Sequence, residues 1–588
     1  MQVQRLARAL LATATAVGAV AATAVSASAA PATNNFTVAV TGTSPFLLGA
    51  DTPVNTFIDK DGTFHAQTSI SGYSSQDEHA WWFLAGTNLD NAYMDQALTT
   101  ANGDTTARCN NSPTGLEATY GSYPDRNYCD LNGVWVDPDT GNWYGLVHNE
   151  FTKSPFGDYQ HYDSIDFAES TDQGKTWTIK AHVITSPYST VRGDTAAFPQ
   201  QTYDYGDGDP RLYVDTASGY FYVYYGSRIV DKGGNWQAFY AHVARAPIAS
   251  KMASGSWRKW YDGSWSQPGV GGKESNMVPV SADNPNGYTP ADNEYNPDTP
   301  GTTAQQVAAG QAPPTSPLFV MDITYDAYLG LYIGEPQNPD QSGNAPQEFY
   351  ATRSLATQKW FKLGDTGSHT DASWYRWFAD GANAWNSAFV GKDLRSYCIN
   401  ACWGPYNYGN YTNITIGTDS PAAPVSPGGS YQIANGGGRE LAEVGNGTAS
   451  VAATAGHTRQ ATWTFTPDGD GSYTITNAAT GKVLGVDDSS TAGRAWGAQP
   501  VMASKSASGP SVGQQWWVVP DTSPATGAAT GAFHLVNRYS GLDLALSAVA
   551  ARSAETTPGR SWTDPSSTDV GAGRTAAEQT LTLRPAGS

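Results

Sequence analysis

The chain has 588 residues, too many for one ordinary domain, and a formal net charge of −20 with a pI near 4.7. That acidity excludes a nucleic-acid binder built on phosphate contacts and favours a neutral or cationic partner. Gly (62), Tyr (32) and Trp (19) are abundant and charged residues make up only 15% of the chain, which suits short strands, tight turns and aromatic faces.

In chain order, Arg5 and Arg8 precede an Ala-rich apolar run that ends in Ala27-Ser28-Ala29, the pattern of an export signal over residues 1–29. No other stretch approaches the roughly 20 apolar residues of a membrane span. The mature chain is therefore expected to be secreted, away from membranes, and is read as a monomer. Cys109 and Cys129 bracket a polar loop, and Cys398 and Cys402 lie close together in "YCINACWG". In an oxidising compartment the expected pairs are 109 with 129 and 398 with 402. A zinc site is the alternative, but no His/Cys cluster supports it. No metal-ligand spacing stands out and no cofactor is expected, with a structural Ca²⁺ left open.

The region 36–417 repeats itself. "VNTFIDKDGTFHAQ", "NGVWVDPDTGNWYGLV", "PRLYVDTASGYFYVYY" and "MDITYDAYLGLYIG" each run through a β-rich stretch to Asp59, Asp137, Asp215 or Asp326. A glycine follows in each (Gly62, Gly141, Gly219, Gly330), and then a second aromatic strand. A weaker fifth copy starts at Ser373. Two further strands close each readable unit, as in "FAESTDQGKTW". Four strands per unit is the content of a propeller blade. Five blades are favoured and six remain open. Residues 418–430, ending in "SPAAPVSPGGS", form a Pro/Gly/Ser-rich linker.

"STDQGKTW" (Ser170–Trp177) matches the Asp-box that sialidases and other propellers carry. The resemblance implies a turn between the third and fourth strands of a blade. Asp172 would accept turn N–H groups, Gly174 would take a positive φ, and Trp177 would pack between blades. The blade starts resemble the five-bladed propeller glycosidases of the arabinanase, xylosidase and fructosidase superfamily. In that superfamily acidic residues at the first strands point into the central cavity.

That resemblance implies Asp51 as base or nucleophile, and Asp130 or Asp209 as the residue that orients the sugar or tunes the acid. Glu335 in "LYIGEPQ" and Glu150 in "GLVHNEF" compete for the general acid, with Glu274 third. Glycoside hydrolysis needs two such carboxyl groups across the scissile bond. His148, His161, Trp81, Trp82 and Arg211 are carried as substrate-binding candidates. The Asp residues at the hairpin turns are read as structural.

From Tyr431 to the end of the chain, residues 431–588, three copies share an aromatic start, an Asn, a Gly and a Leu-rich close. "QATWTF", "QQWWVV" and "EQTLTL" finish them. This resembles the ricin-type β-trefoil with its Gln-x-Trp signature. The positions matching that family's sugar-binding Asp are Ala442, Gly485 and Ala545, which leaves its sugar binding open, with Asp487 and Asp488 as substitutes in the second copy. The expected molecule is all-β, a propeller followed by a β-trefoil. Its expected function is hydrolysis of a neutral poly- or oligosaccharide. The alternatives are a non-catalytic lectin-like binder and a sialidase-like exo-glycosidase, which would draw on Arg192, Arg211 and Arg228.

Overall fold

The computed structural model describes residues 35–46, 48–72, 78–114, 127–152, 161–190, 194–403, 408–443, 449–452, 458–547, 554–564 and 568–587. The expected signal segment 1–29, Arg192 and the loop 153–160 lie outside them. Residues 36–588 form one compact unit. Among the described residues no helix is long and apolar enough to cross a membrane.

Strand β1 spans Phe36–Phe46. The first blade holds β2 (Asn55–Ile58), β3 (Phe64–Ser71), β4 (His79–Gly86) and β5 (Tyr93–Met94). The second holds β6 (Asn127–Val136), β7 (Trp143–Thr152), β8 (His161–Ser170) and β9 (Thr178–Thr185). The third runs from β10 (Thr202–Asp215) through β11 (Tyr220–Asp231), β12 (Trp236–Pro247) and β13 (Arg258–Tyr261) to an extra hairpin strand, β14 (Ser264–Pro268). The fourth holds β15 (Met321–Asp326), β16 (Leu331–Pro336), β17 (Pro346–Thr352) and β18 (Phe361–Thr370). The fifth begins with β19 (Arg376–Asp380); the short β20 (Phe389–Val390) then crosses to pair parallel with β15, and β21 (Asp393–Trp403) and β22 (Tyr408–Thr418) continue the blade.

The fifth blade lacks a fourth strand of its own, and β1 supplies it. β1 pairs antiparallel with β22 from Phe36↔Thr418 to Phe46↔Gly409. The two ends of the propeller are thus hydrogen-bonded together, and five blades close the ring. β1 alternates half-buried and exposed residues because it is an outer strand with one packed face. β11 is buried on both faces. Phe221, Val223 and Tyr225 pack toward the second blade, and Tyr222 and Tyr224 toward the fourth.

The Asp-box is the turn between β8 and β9, the third and fourth strands of its blade. Asp172 Oδ1 accepts from Thr176 N (2.9 Å) and Ser170 Oγ (2.9 Å), and its Oδ2 accepts from Thr176 Oγ (2.8 Å). Gly174 has φ +83°, and a Cβ there would strike the Trp143 ring. Trp177 is buried against Trp81 and Trp143. The disulfides are Cys109–Cys129 and Cys398–Cys402, the expected pairs.

The C-terminal strands build the β-trefoil. Ser430–Asn435, Tyr473–Asn477 and Ala529–Asn537 each end at an Asn. Asn435, Asn477 and Asn537 each accept amide protons from the following turn, which explains the repeated Asn. Trp463 and Trp516 donate to Leu441 O (3.0 Å) and Leu484 O (2.9 Å), locking their copies in the same way.

The trefoil packs on the propeller face that carries the first-to-second-strand hairpins. Arg494 Nε donates to Gly62 O (2.7 Å), Arg560 Nη2 to Pro138 O (2.6 Å) and Thr522 N to Ala217 O (3.3 Å). Arg538 holds Asp380 of the fifth blade at 2.7 and 3.0 Å. The central channel is lined by β2, β6, β10, β15 and β19. At this end it narrows to a cavity of about 220 Å³ closed by Trp496, Leu542 and Pro558. Among the described residues the trefoil therefore covers this end of the channel and not the opposite one.

Candidate active site at the mouth of the central channel

First strands of successive blades enter the channel from the rim opposite the trefoil. Asp51 precedes β2, Asp130 lies early in β6, Asp209 in β10, Asp322 in β15, and Tyr375 precedes β19. Asp51, Asp130, Asp209 and Glu150 all bear electrostatically on the Tyr375 hydroxyl, raising its pKa well above 10 on top of the effect of burial. Four carboxylates from three loci and one tyrosine therefore converge. Tyr375 has φ +40°, an unusual backbone for a tyrosine, and it is held by its N–H to Gln337 Oε1 (3.1 Å).

The local sequence explains the acid on β10. "YGDGDPR" carries two register shifts against β11, between Asp204 and Asp207 and between Gly208 and Arg211. Such bulges re-aim side chains. Gly208 is required because a Cβ there would stand 2.5 Å from Asp163 Oδ2, and Asp209 takes φ +54°. β10 thereby presses against β8 and delivers Asp209 beside Asp163.

The cations are not spread evenly. Arg228 on β11 is buried. It donates Nη1 to Asp163 Oδ2 (3.3 Å) and Nη2 to Asp209 Oδ2. The rings of Tyr205, Trp236, Phe319 and Trp374 surround its guanidinium. Asp209 and Asp163 are thus compensated.

His148 is shared by Glu150, Asp163 and Asp209, and its charge also bears weakly on Asp130. His148 Nε2 lies 3.3 Å from Glu150 Oε1 and 3.6 Å from Asp163 Oδ2, and Nδ1 accepts the Asp209 amide proton at 2.7 Å. Burial favours the neutral ring, and Asp163, Asp209 and Glu150 favour the imidazolium. The amide proton aimed at Nδ1 decides the tautomer: the ring proton sits on Nε2, facing the carboxylates.

Burial raises the Asp51 carboxyl to about 6, with the charges of Glu150 and Asp209 adding to it and the Ser71 N–H (2.8 Å) opposing. Asp130 is raised well above the ordinary carboxylate range by burial and then by Glu150 and Asp51, against a 2.7 Å hydrogen bond from Ser71 Oγ. Asp130 is thus biased toward its protonated form, while Asp51, at about 6, is mostly ionised near neutral pH. An acid and a base side by side is what proton transfer at a sugar oxygen requires.

Of the residues expected from the sequence, Asp51, Asp130, Asp209, Glu150 and His148 are brought together here. Arg211 is close but committed. It donates to Asp209 O (3.3 Å), Pro210 O (3.1 Å) and Gln337 Oε1, under the Tyr375 ring. Glu335 is fully buried between the fourth and fifth blades, where Oε2 accepts from Ser396 Oγ (2.6 Å). Its charged neighbours are Arg376, Asp322 and Asp371, not the Asp51 group, and burial lifts it to about 8.

Trp81 offers no ring face to a sugar. It is 0% exposed, donates to Cys129 O (2.7 Å), and packs against Trp177 and Arg108 in the blade core. Trp82 is half-buried with its indole N–H on Glu78 (2.8 Å). His161 starts β8, and its side chain lies outside the described residues.

The structure also adds Asp163, Ser71 and Tyr375, which the sequence reading did not select. Tyr375 occupies the blade-start position that carries an Asp in the other four blades, and that registration was the available signal. For the sialidase-like alternative, Arg211 and Arg228 are both consumed by protein partners, and Arg192 is outside the described residues.

In the trefoil, Ala442, Gly485 and Ala545 are buried strand positions. Asp487 accepts from Ser489 and Ser490 and caps its own turn, whereas Asp488 accepts from Gly513 N (2.9 Å) and ties its loop to the segment before the last strand of that copy.

Residues 422–503 and 459–562 match the family model described as ricin-type beta-trefoil lectin domain-like. No curated protein matches the chain. Among solved structures, a GH43 β-1,3-galactosidase is similar at 12% identity over 92% of this chain and 93% of its own, with a TM-score of 0.30. An exo-β-1,3-galactanase from Clostridium thermocellum is similar at 16% identity over 77% of this chain and 95% of its own, with a TM-score of 0.21. A designed threefold-symmetric protein, ThreeFoil, is similar at 22% identity over 26% of this chain and 97% of its own, with a TM-score of 0.20. The propeller assignment rests on strand order and ring closure.

Proposed function

We propose that this chain is a secreted glycoside hydrolase that cleaves a neutral poly- or oligosaccharide at the open mouth of the propeller. The observation that carries the reading is the unequal treatment of the carboxyl groups there. Asp209 and Asp163 are neutralised by Arg228, whereas Asp51 and Asp130 are raised in proton affinity by burial and by the charge of Glu150. A purely structural cluster would be expected to pair each buried acid with a cation, because unpaired buried charge is costly.

In this reading Asp51 is the base or nucleophile. Glu150 delivers the proton to the leaving oxygen, and Asp130, biased toward its protonated form, supports that role from the adjacent strand. His148, with its proton on Nε2, orients Glu150. Asp209 is held by Arg228 as a fixed acceptor for a sugar hydroxyl. The net charge of −20 disfavours an anionic substrate.

The test is release of reducing sugar by the purified chain from a panel of neutral polysaccharides, repeated with Asp51→Asn and Glu150→Gln. Release that vanishes in both variants supports the reading. Sugar binding that persists in both variants, with no release from any substrate by the parent chain, would identify a lectin-like binder instead.

A further inference from the structure

A second cavity, of about 720 Å³, lies on the other side of the third blade. Strand alternation separates the two sites: on β11, Arg228 faces the channel carboxylates and the adjacent Ser227 faces this cavity. The cavity falls in the size range of small-molecule pockets, roughly 300–1,000 Å³. Its walls combine tyrosine rings, among them Tyr188 and the half-exposed Tyr261, with the carboxyl groups of Asp204, Glu274 and Glu294.

Each of these acids is anchored through one oxygen. Asp204 Oδ1 accepts from Ser186 Oγ (2.6 Å) and Gly206 N (2.9 Å). Glu274 Oε2 accepts from Lys259 Nζ (2.7 Å) and Tyr225 OH (2.7 Å), and Glu294 Oε1 accepts from Asn276 N (2.8 Å). Among the described residues the other oxygen of each takes no hydrogen bond.

His242 cannot serve as their counter-charge. Its Nδ1 donates to Ser275 O (3.0 Å) and its Nε2 accepts from Ser227 Oγ (2.8 Å), so the ring is fixed and neutral. Lys259 lies behind the wall, bound to Asp207 and Glu274.

We propose that this cavity is a second saccharide-binding site, which takes a neutral sugar unit through its free carboxyl oxygens and a tyrosine face. A hydroxyl-rich ring supplies the donors that these oxygens lack, and its C–H face suits an aromatic wall. Burial followed by the charge of Asp207 lifts Asp204 to about 7, and burial with Glu274 lifts Glu294 well above the ordinary range. Asp204 is then about half protonated near neutral pH and Glu294 is biased toward its neutral form, so each can offer an O–H as well as an acceptor. That pairing suits an alcohol better than an ammonium ion.

The test is hydrogen–deuterium exchange of the full chain with galactose, xylose, arabinose or spermidine at about 100 mM, a concentration suited to millimolar affinity. The readout is exchange of the segment 271–296, which does not include the channel residues. At least one of the three sugars is expected to slow exchange there severalfold, and Tyr261→Ala and Glu294→Gln are each expected to abolish that effect. Protection by spermidine alone, protection that survives both variants, or no protection of this segment by any sugar would overturn the proposal. Because the readout is local, its outcome is independent of whether the channel mouth hydrolyses anything.

Discussion

Asp51→Asn is expected to make the protein more stable at neutral pH while removing hydrolysis. Asp51 is raised from 3.8 to about 6 in the folded chain, so folding disfavours its charged form. For a carboxyl raised on folding, the favourable contribution is complete below the unfolded pKa and is lost as pH rises through the folded one. A shift of about 2 units at about 1.4 kcal/mol per unit gives a cost of about 3 kcal/mol at pH 7.5 and under about 1 kcal/mol at pH 4. Asn keeps an acceptor for the Ser71 N–H and carries no charge, so it escapes that cost. The assay is thermal unfolding of parent and variant at both pH values. The variant should melt higher at pH 7.5, and the difference should largely close at pH 4. A variant that melts lower at pH 7.5, or a difference that does not change with pH, would refute the argument that this acid is held in an unfavourable charged state.

Glu150→Gln should lower kcat by about 100-fold or more, the usual scale for a lost proton donor, whereas Glu335→Gln should leave kcat within a few-fold; steady-state kinetics on one cleaved substrate separates the two. Hydrolysis should decline as pH falls through about 6, where Asp51 takes up its proton, and a pH–rate profile flat through that range would remove Asp51 as the base. Arg538→Ala strands the buried Asp380 and should cost about 3–5 kcal/mol, read as a lower unfolding midpoint with faster proteolysis of the linker 418–430; the Arg538→Met/Asp380→Asn double variant should recover part of the loss.

The match between sequence and structure is uneven for identifiable reasons. The Asp-box was legible because its hydrogen bonds all close within Ser170–Trp177. The disulfides were legible for a similar reason, since each spans a short separation. The role of β1 was not, because its partner β22 lies over 360 residues away and nothing local marks it as the outer strand of the fifth blade. In "EHAWWFL" a core position is the commoner reading for both Trp81 and Trp82, and the local pattern does not separate them. Only the packing of the first blade on the second put Trp81 in the core and left Trp82 half-buried.

Glu150 and Glu335 make the same point at the site. Each ends the second strand of its unit, so local pattern could not rank them. Ring closure ranks them. The second blade sits beside the first, which brings Glu150 to Asp51 and Asp130, whereas Glu335 faces the fifth blade and meets Ser396 and Arg376. By itself the sequence determined the repeating hairpins, the turn chemistry and the set of acids at the blade starts, because these depend on contacts between near neighbours. The tertiary structure alone decided which acids share a cavity, which are neutralised by Arg228, and which end of the channel the trefoil closes. Those outcomes depend on electrostatics and packing between residues that only a closed ring brings within a few ångströms of one another.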